Sequence, residues 1–165
     1  MGKEEETMIR DDVISIAVFL RELNCFNIDS LENRIIVQKK IFLTEKMGLN
    51  LGYAFSWYIH GPYCPQLTEV VYECHSMGLE CFARYSLTDI ARNVVTKVNE
   101  LDELSDKMEM DRYQWLELLS SLVFWREDQE KQEAINDVKM YKPQFTEEQI
   151  QKAVSSLENY SILWG

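Results

Sequence analysis

The chain has 165 residues, 17 basic and 28 acidic, for a net charge of −11, and 46% of it is apolar. That size and mixture suit one globular domain with a real core and exclude a disordered chain. No apolar run approaches the roughly 20 residues of a membrane helix.

The N-terminal Met1-Gly2-Lys3-Glu4-Glu5-Glu6 has no apolar stretch and so does not read as a secretory signal. Glu6 stands where a myristoylation pattern needs Ser or Thr after Gly2. The chain therefore reads as cytoplasmic, with Cys25, Cys64, Cys74 and Cys81 reduced.

A first helix is predicted over about 10–24, with Val13, Ile16, Ala17, Leu20 and Leu23 on one face. Asn24 and Asn27 break it. Asp29 or Ser30 caps a second helix that runs to Met47 and stops at Gly48. Its apolar positions are Leu31, Ile35, Ile36, Phe42 and Leu43, while Arg34, Lys39, Lys40 and Lys46 give it a basic side. Tyr53 to His60 is aromatic and alternating enough for a strand, which Gly61-Pro62 ends. Pro65 opens a third helix, about 65–76, closed by Gly78.

Leu79 to Leu87 reads as a second strand. Thr88-Asp89 begins a helix of about 89–104, with Ile90, Val94, Val98 and Leu101 inward, and Asp102 to Asp111 reads as a charged connector. Three helices follow, at about 112–125, 128–140 and 146–160. Thr146 and Gln149 form a capping box on the last. The apolar tail Tyr160 to Trp164 should dock on the body or on a second copy, as in a homodimer. The fold class is mainly α with a small two-strand β element. A winged-helix-like core, 8–104, carries additional C-terminal helices, 111–165, in a single domain.

Gln38-Lys39-Lys40-Ile41-Phe42-Leu43, then Gly52-Tyr53-Ala54-Phe55-Ser56-Trp57-Tyr58 and His60-Gly61-Pro62-Tyr63, resemble the helix, strand and Gly-Pro turn of the Panacea-domain antitoxins and the related YwgA-like proteins. Leu118-Leu119-Ser120-Ser121-Leu122 and Lys142-Pro143-Gln144-Phe145-Thr146 are similar to the YwgA-like branch. The resemblance covers patches of 30–160. It implies a helical domain with a small strand pair, associated with phage and toxin–antitoxin systems. In the Panacea branch such a domain neutralises a toxin by binding it, or serves as an adaptor. Gln38, Lys39, Phe42, Gly52 and Phe55 would then be structural residues of the motif.

DNA reading by the third helix meets an obstacle. Cys64 to Met77 carries Glu69 and Glu73 and no Lys or Arg, and only Gln66 could read a base edge. The basic side of the second helix keeps a winged-helix-like transcription regulator as the alternative. His60, Cys64, Cys74, His75 and Cys81 lie close in sequence, but ten helical residues put Cys64 and Cys74 about 15 Å apart, too far to share one ion. No phosphate-cradling glycine loop appears. Cys64 and His60 sit on either side of a tight turn and could pair as nucleophile and base, but no acid near in sequence orients the imidazole.

Trp57, Tyr58, Tyr63 and Tyr72, with His60, Gly61 and Pro62, form the candidate partner-binding patch, because aromatics concentrate at binding hot spots. Residues 100–165 carry 15 acidic and 7 basic side chains, a field that favours a basic partner and repels nucleic acid. The reading is a non-enzymatic module, without cofactor or metal, that acts by binding a protein.

Overall fold

The computed structural model describes residues 9–165, and the stretch read above as neither signal nor lipid acceptor lies outside the described residues. Helices α1 (Asp11–Glu22) and α2 (Leu31–Lys46) lead to the strands β1 (Ser56–Tyr58) and β2 (Gly61–Tyr63). Next come α3 (Pro65–Met77), a 3-10 turn (Leu79–Phe82), α4 (Asp89–Lys107) and α5 (Arg112–Arg126). Helices α6 (Lys131–Tyr141), α7 (Glu147–Leu157) and the one-turn α8 (Ser161–Trp164) complete the described chain. The molecule is mainly helical with one small antiparallel sheet. Among the described residues, no helix is long and apolar enough to cross a membrane.

Local chemistry sets several helix ends. Ser30 and Thr88 accept the backbone N–H three residues on, and Thr146 and Gln149 bond reciprocally as a capping box. Pro65 sits in the first turn of α3, where its missing N–H costs nothing, and Gly78 ends that helix at φ +84°.

Helices α2 and α5 form the centre. Every residue from Ile35 to Thr44, and from Trp115 to Val123, is buried. Trp115 donates its indole N–H to the Leu101 carbonyl at 2.7 Å, so its one polar atom is satisfied in the core. One continuous core joins α1 through α8. The apolar tail docks on it, with Leu163 and Trp164 buried and Arg126 bonded to the Trp164 carbonyl.

Three expectations change. The strand pair is a hairpin within 56–63, so Gly61-Pro62 opens its second strand instead of ending the element. Leu79 to Leu87 is not a strand. It curls into the 3-10 turn, and Arg21 takes the Phe82 and Tyr85 carbonyls that a ladder would have used. Finally, α4 runs through Asp102 to Lys107, and its inward face is Ala91, Val95, Val98, Leu101, Asp102 and Ser105. Ile90 is exposed, one position off that face.

Candidate functional site: the hairpin and its cleft

In the hairpin, Ser56 pairs with Tyr63, Trp57 with Pro62 and Tyr58 with Gly61, which leaves Ile59 and His60 as the turn. Gly61 has φ +88°, and a Cβ there would stand 2.9 Å from Ser121 Oγ on α5. Only glycine takes that conformation cheaply while lying flat on a helix. The Ser121 hydroxyl is buried without a hydrogen-bond partner among the described residues.

Two lysines tether the hairpin. Lys39 of α2 donates to the Pro62 carbonyl at 2.8 Å, and Lys142, just after α6, donates to the Ile59 carbonyl. Between them lies Glu117 of α5, buried, with Oε1 3.2 Å from His60 Nδ1 and Oε2 3.4 Å from Lys142 Nζ. Gln144 donates to the same carboxylate at 3.3 Å. Gln38 completes the frame: it accepts from the Cys64 N–H at 2.9 Å and donates to the Cys64 carbonyl at 3.1 Å. That exchange locks the step from β2 into α3. Tyr63 Oη, Thr68 Oγ1 and Gln38 Nε2 form a short polar chain beside it.

The basic side expected on α2 is largely absent. Lys39 and Lys40 are each 1% exposed. Lys40 donates to the Leu23 carbonyl, to Asn99 Oδ1 and to Asp102 Oδ2, all within 2.7 Å. Arg112 grips the same Asp102 from the other side, with Nε at 2.8 Å. Burial pulls the Lys40 ammonium below the ordinary lysine range, with Asp102 opposing it. The hydrogen bond to Asp102 raises the Arg112 guanidinium. Burial brings Lys39 down to about 7, with Glu117 opposing and Lys142 reinforcing the shift. The sequence pattern missed this because a helix buried all round has no exposed stripe for its cations to occupy.

The candidate aromatics separate onto two sides. Tyr58, His60, Tyr63 and Tyr72 line a cleft of about 300 Å³ between α2, α3 and the hairpin. Trp57 lies elsewhere, with its ring centroid 5.1–6.1 Å from those of Phe124, Trp125 and Tyr141. Lys142 Nζ stands 5.3 Å from the Trp57 ring. Gly61 and Pro62 are buried. Of the other motif residues, Phe42 is fully buried with Phe55 edge-on to it at 5.2 Å, and Gly52 holds φ +87° in the loop before β1. Ile59, at the hairpin tip, is 84% exposed.

Three of the four thiols are buried, and that of Cys81 is exposed. Cys64 and Cys74 are buried and engage Gln66 and the Val13 carbonyl respectively, and burial raises the Cys74 thiol to about 12. Burial raises Cys25 to about 12 as well. Among the described residues, no three His, Cys, Asp or Glu side chains converge as a metal site would require.

Sequence reasoning did not single out Ile59, Glu117, Asp102 or Arg112, and it quoted Lys142 only as part of a motif. Glu117 left one signal, a lone carboxylate inside the apolar run Trp115 to Val123. Its partners, His60 and Lys142, come from distant parts of the chain.

No protein-family model matches this chain, and no curated protein or solved structure matches it either.

Proposed function

We propose that the protein is a non-enzymatic interaction module of the YwgA-like/Panacea type, which captures a protein partner through the hairpin tip and the rim of its cleft. One observation carries this reading. A hairpin fixed by Lys39, Lys142 and Gln38 presents Ile59 almost fully to solvent, and Leu31, Tyr58 and Tyr72 are each about half exposed around the adjoining cleft. A rigid mount lowers the ordering cost of binding, so an apolar anchor held this way can contribute affinity. The mechanism is steric masking of the partner. The acidic bias of residues 100–165 would steer a basic partner toward the molecule.

Direct DNA contact through α2 is the weaker reading. With Lys39 and Lys40 inside, the helix keeps Arg34 and Lys46, and Lys46 is paired with Glu127 at 3.0 Å.

The test is affinity capture from cells that make the protein, comparing the wild type with Ile59→Ser. The expected result is a stoichiometric protein that the variant loses, with stability unchanged to within about 0.5 kcal/mol, as for exposed positions generally. Co-purifying nucleic acid that a nuclease removes, with no protein partner, would overturn the reading.

A further inference from the structure

The cleft has a charge character opposite to that of the chain. Of its lining residues none is Asp or Glu, although the protein has 28 of them. Arg34, Lys39 and His60 contribute to the lining instead. Neither Arg34 nor Lys39 has a carboxylate within ion-pair distance among the described residues. The hydrogen bond of Arg34 goes to the Ile28 carbonyl at 3.1 Å, and that of Lys39 to the Pro62 carbonyl. The Lys39 ammonium is poorly compensated, because it has a single neutral acceptor and Glu117, acting at longer range, offsets only part of the desolvation. The remaining walls are largely apolar, interrupted by Gln38, Thr68 and the tyrosine hydroxyls.

We propose that this cleft binds a small amphipathic carboxylate, its hydrocarbon body against Leu31, Ile35, Val71 and Tyr72 and its carboxylate toward Arg34 and Lys39.

The inference goes beyond protein capture and does not depend on it. About 300 Å³ lies at the lower end of small-molecule sites, enough for a short alkyl or aryl acid. Water excluded from apolar walls strengthens the attraction between the bound anion and fixed cations. The anion would also draw a proton onto Lys39, whose burial otherwise holds it at about 7.

Octanoate and 1-octanol, alike in chain length and different in charge, are the probes. Each is titrated into the full-length protein, with backbone amide shifts and calorimetry as readouts. Octanoate should shift amides of α2, α3 and the hairpin and bind at least tenfold more tightly than octanol. Arg34→Met, a change at a half-buried position, should remove roughly tenfold of the octanoate affinity, or about 1.4 kcal/mol, and leave octanol unchanged. Equal affinity for the two probes would overturn the proposal, because the cleft would then be merely apolar. Absence of octanoate binding, or shifts confined to other surfaces, would overturn it as well.

Discussion

Lys39 and Lys40 are neighbours on α2, equally buried, and point to opposite junctions of the molecule. At the Lys40 junction, α1, α2, α4 and α5 meet around Asp102, and the ammonium has three acceptors at 2.6–2.7 Å. Asn99 links back to the Glu22 carbonyl at 3.0 Å, and Arg112 to Asn24 at 3.2 Å. At the Lys39 junction the carboxylate, Glu117, is held more loosely, at 3.2–3.4 Å, and by groups other than Lys39 itself. The first junction is closed on all sides. The second opens on a cleft. A fully paired buried charge is explained by the fold it holds together. A buried cation left with one neutral acceptor is not, and that imbalance separates scaffold from candidate site here.

The sharpest test of this contrast is a pair of truncations. Asp102→Ala leaves Lys40 and Arg112 facing each other without an anion and should cost about 3–5 kcal/mol of stability. Glu117→Ala should cost less, about 1–3 kcal/mol, since its partners are longer-range and His60 is partly exposed. Chemical denaturation of the two variants measures the gap, and equal losses would erase the distinction between the junctions. Next in size, Gly61→Ala forces a side chain into φ +88° and against Ser121, at a cost of about 1–3 kcal/mol. The same change at Gly52, where a Cβ meets nothing within 4 Å, pays for backbone strain alone and should cost less.

The last test of the contrast is a trend with pH. Lys39 is lowered to about 7 from an ordinary 10.5, so the unfolded chain binds more protons between those values. Stability contributed through this group therefore rises with pH across that window, and its penalty is fully present below about 7. Wild type should gain on Lys39→Met as pH climbs from about 7 to about 10.5. Denaturation midpoints of the two proteins, taken in parallel, measure the difference, and a flat difference would mean that Lys39 titrates as an ordinary lysine.

The features legible in the sequence are those decided within a few residues. Ser30, Thr88, Thr146 with Gln149, Pro65 and Gly78 mark helix ends through bonds to near neighbours. The helix of about 112–125 was legible as well, and it runs from Arg112 to Arg126. What escaped depends on distant chain. Lys39 and Lys40 looked like a solvated face because their acceptors lie 23 and 62 residues away. Asp102 looked like part of a connector for the same reason. Leu79 to Leu87 has the composition of a strand, yet Arg21, 61 residues earlier, claims its carbonyls. In the site, Tyr58, His60, Tyr63 and Tyr72 were legible as a group. Trp57 was grouped with them because sequence proximity does not say which side of a strand a ring packs on, and strand neighbours face opposite ways.

The placing of Pro62 has a consequence for how any other chain could approach. A two-stranded sheet offers outer edges, and an exposed edge invites strand addition through unpaired amides and carbonyls. Here the middle residue of β2 has no amide to offer, and its carbonyl is already taken by Lys39. That edge is closed to backbone pairing. An extended segment laid along β2 would find no register to lock into, so selection along that edge falls to side chains alone, and one copy cannot stack on the next through β2.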